Sequence, residues 1–281
     1  MHMRYSVVFF ILCSCQVLLG QIISSAEDEA IFSSKVEVLE KVGSQKLNEN
    51  LVAIGKSFLG TPYVEKTLEI GETESLVINL RGLDCTTFVE NVLAFTLLQK
   101  QEQEDFDTFI ENLKTIRYRN GILDGYSSRL HYFTDWIRNN EKKGLVKDIT
   151  SDLGGIELKK PINFMGTHRD LYPFLTDDKN YERILKTEIE LAQKNLCYLP
   201  QDQIQAQESS IHSGDIIALA TSIKGLDVTH TGIAIRKPNG RIHLLHASSS
   251  GKVKITEVPL VDYLKTVKNN IGIVVARPSL N

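Results

Sequence analysis

Cys85, His230 and His246 are the residues whose types and settings suit an activated nucleophile. Cys85 stands in Leu83-Asp84-Cys85-Thr86-Thr87-Phe88-Val89-Glu90, at the start of a segment with helical spacing. Phe88, Val92 and Phe95 fall on one face, and Val89, Leu93 and Leu97 lie beside them. Asp84 is a suitable N-cap, and no proline interrupts the run. The first turn of a helix carries unpaired N–H groups and the positive end of the dipole, and both favour thiolate over thiol. A cysteine there is placed to attack a carbonyl. The alternative is a small buried hydrophobe, a common fate for cysteine.

The histidines bear on that choice. His230 lies in Val228-Thr229-His230-Thr231-Gly232-Ile233-Ala234-Ile235, which reads as a strand with a glycine where bulk is excluded. His246 lies in Arg241-Ile242-His243-Leu244-Leu245-His246-Ala247-Ser248. Lys237-Pro238-Asn239-Gly240 between them carries the Asn-Gly signal of a hairpin turn. Antiparallel pairing brings His230 and His246 to the same end of that hairpin. A helix-start cysteine packed against such strands gives a Cys–His nucleophile with a third, orienting group. His243 competes for the third position, but three residues from His246 it points to the opposite face.

Two other readings of the cysteine stay open at this stage. Cys197 is the other cysteine beyond the N-terminal segment, and in an oxidising compartment it could pair with Cys85. Cys85, His230 and His246 could also hold zinc, although the close paired spacings of structural zinc are missing from the sequence.

Four segments, in order, resemble the NlpC/P60 superfamily of papain-like cysteine peptidases and amidases of bacterial cell walls. They are Gly60-Thr61-Pro62-Tyr63, Asp84-Cys85, Ser213-Gly214-Asp215-Ile216-Ile217, and His230-Thr231-Gly232-Ile233-Ala234 with His246-Ala247-Ser248. The form Asp84-Cys85-Thr86-Thr87-Phe88-Val89-Glu90-Asn91 and the long stretch before His230 resemble more narrowly the N-acetylmuramoyl-L-alanine amidase-like branch, DUF1460. The resemblance implies Cys85 as nucleophile, His230 as base and His246 as third member, with Tyr63 and Asp84 beside the site and no metal or organic cofactor. It implies hydrolysis of the bond between the muramyl lactyl group and L-alanine in peptidoglycan or its fragments. A peptidase cutting after D-glutamate in the stem peptide, or a wall-binding module without turnover, are the alternatives. Ordinary NlpC/P60 members carry Asp-Cys-Ser-Gly and a shorter interval to the histidine, so their substrate choice does not transfer.

The elements that must position these residues follow from pattern. Helices are expected over Leu51–Phe58 and from Cys85. Strands are expected at Ile216–Ala220, Thr231–Arg236, Ile242–His246, Val253–Val258 and Ile271–Ala276, and Leu76–Leu80 reads as a strand or as an extended entry to Cys85. Helices first and strands last describe an α+β fold, a papain-like NlpC/P60 core whose nucleophile helix packs on an antiparallel sheet. Between about 105 and 200 lies a large, mainly helical insertion, with helices expected at Asp105–Ile116, Leu130–Lys142 and Lys179–Asn195 and a break at Gly154-Gly155. The insertion holds Tyr118, Arg119, Tyr126, Arg129, His131, Tyr132 and Trp136 within nineteen residues. Aromatic faces stack on sugar rings and arginines pair with carboxylates, so Arg119, Tyr126, Arg129 and His131 are the candidate substrate contacts. Trp136 fits better as the apolar face of an ordinary helix.

Composition bounds the rest. A net charge of −3 with no basic run argues against a nucleic-acid partner. His2 and Arg4 precede an apolar stretch from Tyr5 to Leu19, and Gly20-Gln21 is the preferred cleavage point. The expected organisation is a signal peptide over 1–20 and one amidase domain over 21–281, exported to the periplasm and without an integral membrane span. Leu12-Cys13-Ser14-Cys15 offers a second reading of the leader as a lipid-anchoring box. Oligomeric state leaves no mark in the sequence.

Overall fold

The apolar helix that follows Cys85 becomes the centre of the molecule. A computed structural model describes residues 22–43 and 46–279. The expected leader, with Cys13, Cys15 and the Gly20-Gln21 junction, lies outside the described residues.

In chain order the elements are β1 (Ile22–Ile23), α1 (Ala26–Val42), α2 (Leu47–Ser57), β2 (Leu76–Val77), α3 (Cys85–Gln101), α4 (Phe106–Arg117), α5 (Phe133–Lys142), β3 (Val146–Asp148), β4 (Ile156–Leu158), α6 (Phe164–Thr167), α7 (Asp178–Ala192), β5 (Leu196–Pro200), α8 (Ile204–Gln207), β6 (Ile216–Thr221), β7 (Val228–Arg236), β8 (Ile242–Ser248), β9 (Lys252–Ile255), α9 (Leu260–Thr266) and β10 (Asn270–Pro278). The main sheet runs β4-β5-β10-β6-β7-β8-β9, with β3 also paired to β10. Its pairings are antiparallel, and β1 and β2 form a small parallel pair apart from it. The fold is mixed α/β with a mostly antiparallel sheet. Among the described residues no helix is long and apolar enough to cross a membrane.

The α3 helix is buried along nearly its whole length. Its start is fixed by a reciprocal capping box. The Asp84 carboxylate accepts from the Thr87 N–H at 2.7 Å, and the Thr87 hydroxyl oxygen accepts from the Asp84 N–H at 2.9 Å. One side packs on Ile233, Leu245 and Ala247 of the sheet, and the others meet α1, α2 and α4 through Phe32, Phe58, Phe95 and Phe109. The Phe95 and Phe109 rings lie 4.4 Å apart. On the far face of the sheet, α9 covers Leu219, Ala234 and Leu244 with Leu260 and Leu264. Sandwiching the sheet between two layers is what makes its strands apolar on both faces.

α4 and the expected strands from Ile216 onward fall close to where expected, although β9 stops at Ile255, and of Leu76–Leu80 only Leu76–Val77 is a strand. α5 begins at Phe133 rather than Leu130, because the preceding chain is extended: the Leu130 N–H donates to the Arg117 carbonyl at 3.0 Å. The insertion is less purely helical than its sequence suggests. It also supplies β3, β4 and β5, and β5 joins β10 inside the main sheet. Strands of three to five residues are too short to carry a readable alternation.

A buried ion pair ties α3 to α4. The Arg117 Nε lies 2.7 Å from Glu90 Oε2, both side chains being almost fully enclosed, and its Nη1 donates to the Val77 carbonyl at 2.7 Å. Burial pushes the Glu90 carboxyl up, and Arg117 draws it back. Removing one member of such a pair costs about 3–5 kcal/mol, whereas an apolar replacement of both is often neutral. Glu90→Ala is therefore expected to lower the urea midpoint sharply, and Glu90→Leu with Arg117→Leu to restore most of it. A Glu90→Ala midpoint equal to wild type would show that the pair does not hold these helices together.

Candidate active site

Cys85 is half-buried at the first residue of α3, with its thiol reduced. The Thr231 hydroxyl donates to the Cys85 carbonyl at 2.9 Å, fastening the first turn of α3 to β7. Pairing of β7 with β8 begins only at Ile233 opposite Leu245. Ahead of that point the polar groups of Thr231 and Thr86 lie around the sulfur. These contacts draw the thiol pKa down. Desolvation and the neighbouring Asp84 carboxylate outweigh them and push it up to about 11. The helix-start setting thus does not by itself produce a resting thiolate, because burial dominates the dipole.

Side-chain alternation along β7 puts Thr231 and Ile233 on the α3 face and His230, Gly232 and Ala234 on the α9 face. The site therefore straddles the end of the sheet. His230 Nε2 lies 2.6 Å from His246 Nδ1, the rings meeting edge-to-face at 4.8 Å between centroids. Continuing the register places Gly232 opposite His246. A Cβ on Gly232 would stand 2.9 Å from the His246 Cβ and 2.7 Å from the Leu245 carbonyl oxygen. That missing side chain is what lets His246 reach diagonally to His230. His243 is buried and its Nδ1 bonds to the Thr256 carbonyl at 2.8 Å, away from His230.

Burial lowers both imidazoles, His230 to about 4 and His246 to about 3. At neutral pH the site holds a thiol and two neutral rings. One of the two nitrogens in this contact donates and the other accepts, so the tautomer of one ring fixes that of the other.

Tyr63 borders the cysteine on another side. Its N–H donates to the Gly251 carbonyl at 2.8 Å, and its backbone bridges to Leu83, two residues before Cys85. Its phenol is pushed up by burial, with Cys85, Glu65 and Asp84 adding to the rise. Asp84 faces the thiol electrostatically but is occupied as the cap of α3.

The four expected substrate contacts lie in the insertion, where Arg129 and His131 hold Tyr126, and Arg119 stands apart. Arg119 pairs with Asp135 at 2.6 Å. Arg129 pairs with Glu74 at 3.0 Å and lies over the Tyr126 ring. His131 Nε2 bonds to the Tyr126 carbonyl at 2.9 Å. The Tyr126 side chain is almost wholly buried but lines one wall of a cavity of about 470 Å³, with Glu72, Glu74, Phe174 and Arg183. Arg119 lines a second cavity of about 240 Å³ with Arg183 and Lys186. Trp136 is buried and stacked on Phe133 at 4.8 Å. Cys197 is a free thiol on β5, unpaired with Cys85.

Three features escaped the sequence. Asp227 is buried and accepts from the Thr134 N–H and hydroxyl, both at 2.8 Å, joining the start of α5 to the start of β7. Asp215 of the Ser-Gly-Asp segment is structural, gripped by Arg277 through two bonds of 2.8 Å. Tyr263 of α9 sets its ring 5.4 Å from that of His246. Pro259 followed by apolar residues at helical spacing was the available signal for α9.

A family model described as AmiA-like, N-acetylmuramoyl-L-alanine amidase-like, matches residues 53–273. No curated protein matches the sequence. Among solved structures, a N-acetylmuramoyl-L-alanine amidase from Bacteroides uniformis is 39% identical with a TM-score of 0.78, over 83% of this chain and 98% of that one. A putative xylanase from Bacteroides fragilis is 44% identical with a TM-score of 0.75, over 79% and 98%. A Legionella pneumophila protein of the DUF1460 family is 25% identical with a TM-score of 0.69, over 92% and 97%.

The lowered imidazoles make a pH prediction. An unfolded histidine binds its proton near pH 6.5, whereas His230 and His246 resist protonation in the folded state until about 4 and about 3. Between those values the unfolded chain binds more protons, so their contribution to stability is intact above about pH 6.5 and is lost as pH falls toward 4. Urea unfolding of wild type should weaken over that window more steeply than that of a His230→Gln/His246→Gln variant. Parallel curves would mean that the pair is not held neutral.

Proposed function

The chain belongs to the AmiA-like, N-acetylmuramoyl-L-alanine amidase-like family, and from that premise we propose that it is a cysteine amidase. Its substrate is the amide between the lactyl group of N-acetylmuramic acid and L-alanine, in peptidoglycan or its fragments. The observation that carries the reading is the hydrogen-bonded His230–His246 pair, with His230 on the strand to which the first turn of the Cys85 helix is fastened.

In the proposed reaction the Cys85 sulfur attacks the lactyl carbonyl carbon while His230 Nδ1 takes the thiol proton. Asp84 already engages the Thr87 and Phe88 N–H groups, so the N–H groups of Cys85 and Thr86 are the first-turn donors for the oxyanion. Tyr63 stands beside them as a further donor. The tetrahedral intermediate collapses by breaking the C–N bond, and His230 returns its proton to the departing L-alanyl amine. Water, deprotonated by His230, then cleaves the thioester to release the lactyl carboxylate and restore the thiol. His246 accepts the His230 Nε2–H throughout and orients the ring. No step calls for a metal or an organic cofactor.

Glycosidic hydrolysis, suggested by the name of one relative, calls for two carboxyl groups flanking the bond. The carboxylates nearest Cys85 in sequence are otherwise engaged, Asp84 as a cap and Glu90 with Arg117. That supports the amidase reading over the glycosidase one.

Tyr126 and Arg119, which line the insertion's cavities, are proposed to contact substrate, with Arg129 and His131 bracing Tyr126. The same proposal takes the protein as a single NlpC/P60-like, papain-like unit over 21–281. It is exported to the periplasm after removal of residues 1–20 or anchored by lipid there.

Cys85→Ala and His230→Ala should each lower turnover of N-acetylmuramoyl-L-alanyl peptides by at least about a thousandfold, as loss of a nucleophile or its base does. His246→Ala should reduce it less, and Cys197→Ala should leave it near wild type. Mass spectrometry should find free N-acetylmuramic acid and an L-alanyl peptide. Cleavage of a sugar-free stem peptide after D-glutamate at an equal rate would replace the amidase reading with an endopeptidase one. Undiminished binding of muropeptides with no product from wild type would leave a wall-binding module.

A further inference from the structure

The His246 ring has two nitrogens, and the hydrogen-bond pattern accounts for one of them. Nδ1 meets His230 at 2.6 Å. Nε2 is buried and, among the described residues, has no hydrogen-bond partner. A buried N–H without an acceptor is costly, so the surroundings of Nε2 decide which tautomer is favoured. What lies against this ring is Tyr263, 5.4 Å between centroids with the planes 64° apart, an edge-to-face arrangement. An aromatic face is electron-rich and accepts weakly from an N–H directed at it.

We propose that Tyr263 is a positioning residue whose ring accepts the His246 Nε2–H and so sets the tautomers of both histidines. The consequence runs along the pair in one direction. With its proton on Nε2, His246 presents a lone pair at Nδ1. His230 must then donate its Nε2–H across the 2.6 Å contact, and the His230 lone pair is left on Nδ1. That is the nitrogen required of a base for Cys85. The opposite arrangement puts a proton on His230 Nδ1 and a bare, unpartnered lone pair on the buried His246 Nε2, and it has no base to offer. Tyr263 also senses the cysteine: burial raises its phenol pKa and Cys85 adds to the rise. α9 holds the ring in place through Leu260 and Leu264, which are buried against the sheet on either side of it.

This inference rests on the proposed roles of His230 and His246, but its central measurement does not need turnover. Nitrogen-15 NMR of histidine-labelled protein at pH 7 reads which ring nitrogen carries the proton. The expected result is Nε2–H on both His230 and His246, in wild type and in Cys85→Ala alike. Tyr263→Phe keeps the ring and should keep both tautomers, with kcat within about twofold of wild type. Tyr263→Leu removes the acceptor. It should give mixed tautomers at both histidines and a kcat lower by about fivefold, the scale of one such contact, with little change in KM. Nδ1–H on His246 in wild type would overturn the proposal outright, whatever the activity of the variants. So would wild-type tautomers in a folded Tyr263→Leu protein, or a Tyr263→Phe protein as impaired as Tyr263→Leu, which would assign the role to the hydroxyl. Loss of turnover in Cys85→Ala with the expected tautomers intact would support both readings. A fully active Cys85→Ala protein with the same tautomers would sink the cysteine mechanism while leaving the histidine geometry standing.

Discussion

The hydroxyl of Thr231 on the carbonyl of Cys85 is the contact on which the rest of the site depends. It joins a helix start to a strand start, two features 146 residues apart. Together with the capping box of Asp84 and Thr87, it fixes the first turn of α3 against the strand that carries His230. The residues around it serve the same junction. The Gly60–Tyr63 segment is laced by backbone hydrogen bonds to Leu83 on one side and to Gly251 and Val253 on the other. Gly232 lets His246 lie close enough to cross over to His230. Geometry at this junction is thus over-determined by backbone contacts, which suits a site that must hold reacting atoms within a fraction of an ångström.

The electrostatic setting follows from the same burial. In water a helix N-terminus favours a thiolate, but here the thiol is desolvated and lies next to Asp84, and both effects favour the neutral form. The imidazoles are desolvated too and stay neutral. The site therefore holds neutral groups, not a standing ion pair. A neutral His246 in the third position fits this setting. A carboxylate there would attract a proton onto His230 and raise its pKa, whereas an imidazole orients the ring through a hydrogen bond without adding charge.

Much of this was legible from residue types. The helical stripe after Cys85, the Asn-Gly turn between two strands and the three-residue offset of His243 from His246 are local patterns, and local patterns survive folding. They give α3, the β7–β8 hairpin and the meeting of His230 with His246. What could not be read is what depends on non-local pairing. β3, β4 and β5 gain their strand character from β10 and from each other, not from their own sequence. Tyr263 sits against His246 only because α9 folds back over the sheet. The thiol pKa likewise depends on how deeply the helix start is covered, and no motif records depth.

The insertion shows why an aromatic and arginine cluster is weak evidence for recognition taken alone. Arg119 is matched by Asp135, Arg129 by Glu74, and Tyr118 donates its hydroxyl to Glu74 at 2.9 Å. Trp136 is buried against Phe133. Most of the cluster's polar capacity is turned inward toward these partners. Yet the insertion is not a passive cover. Asp227 receives both donors of Thr134 at the start of α5 and lies three residues before His230. The same carboxylate accepts the Val228 N–H at 2.8 Å, just ahead of the strand bulge that sets the direction of His230. The start of α5 therefore cannot shift without disturbing the entry to β7. That link couples the position of the insertion to the strand that carries His230.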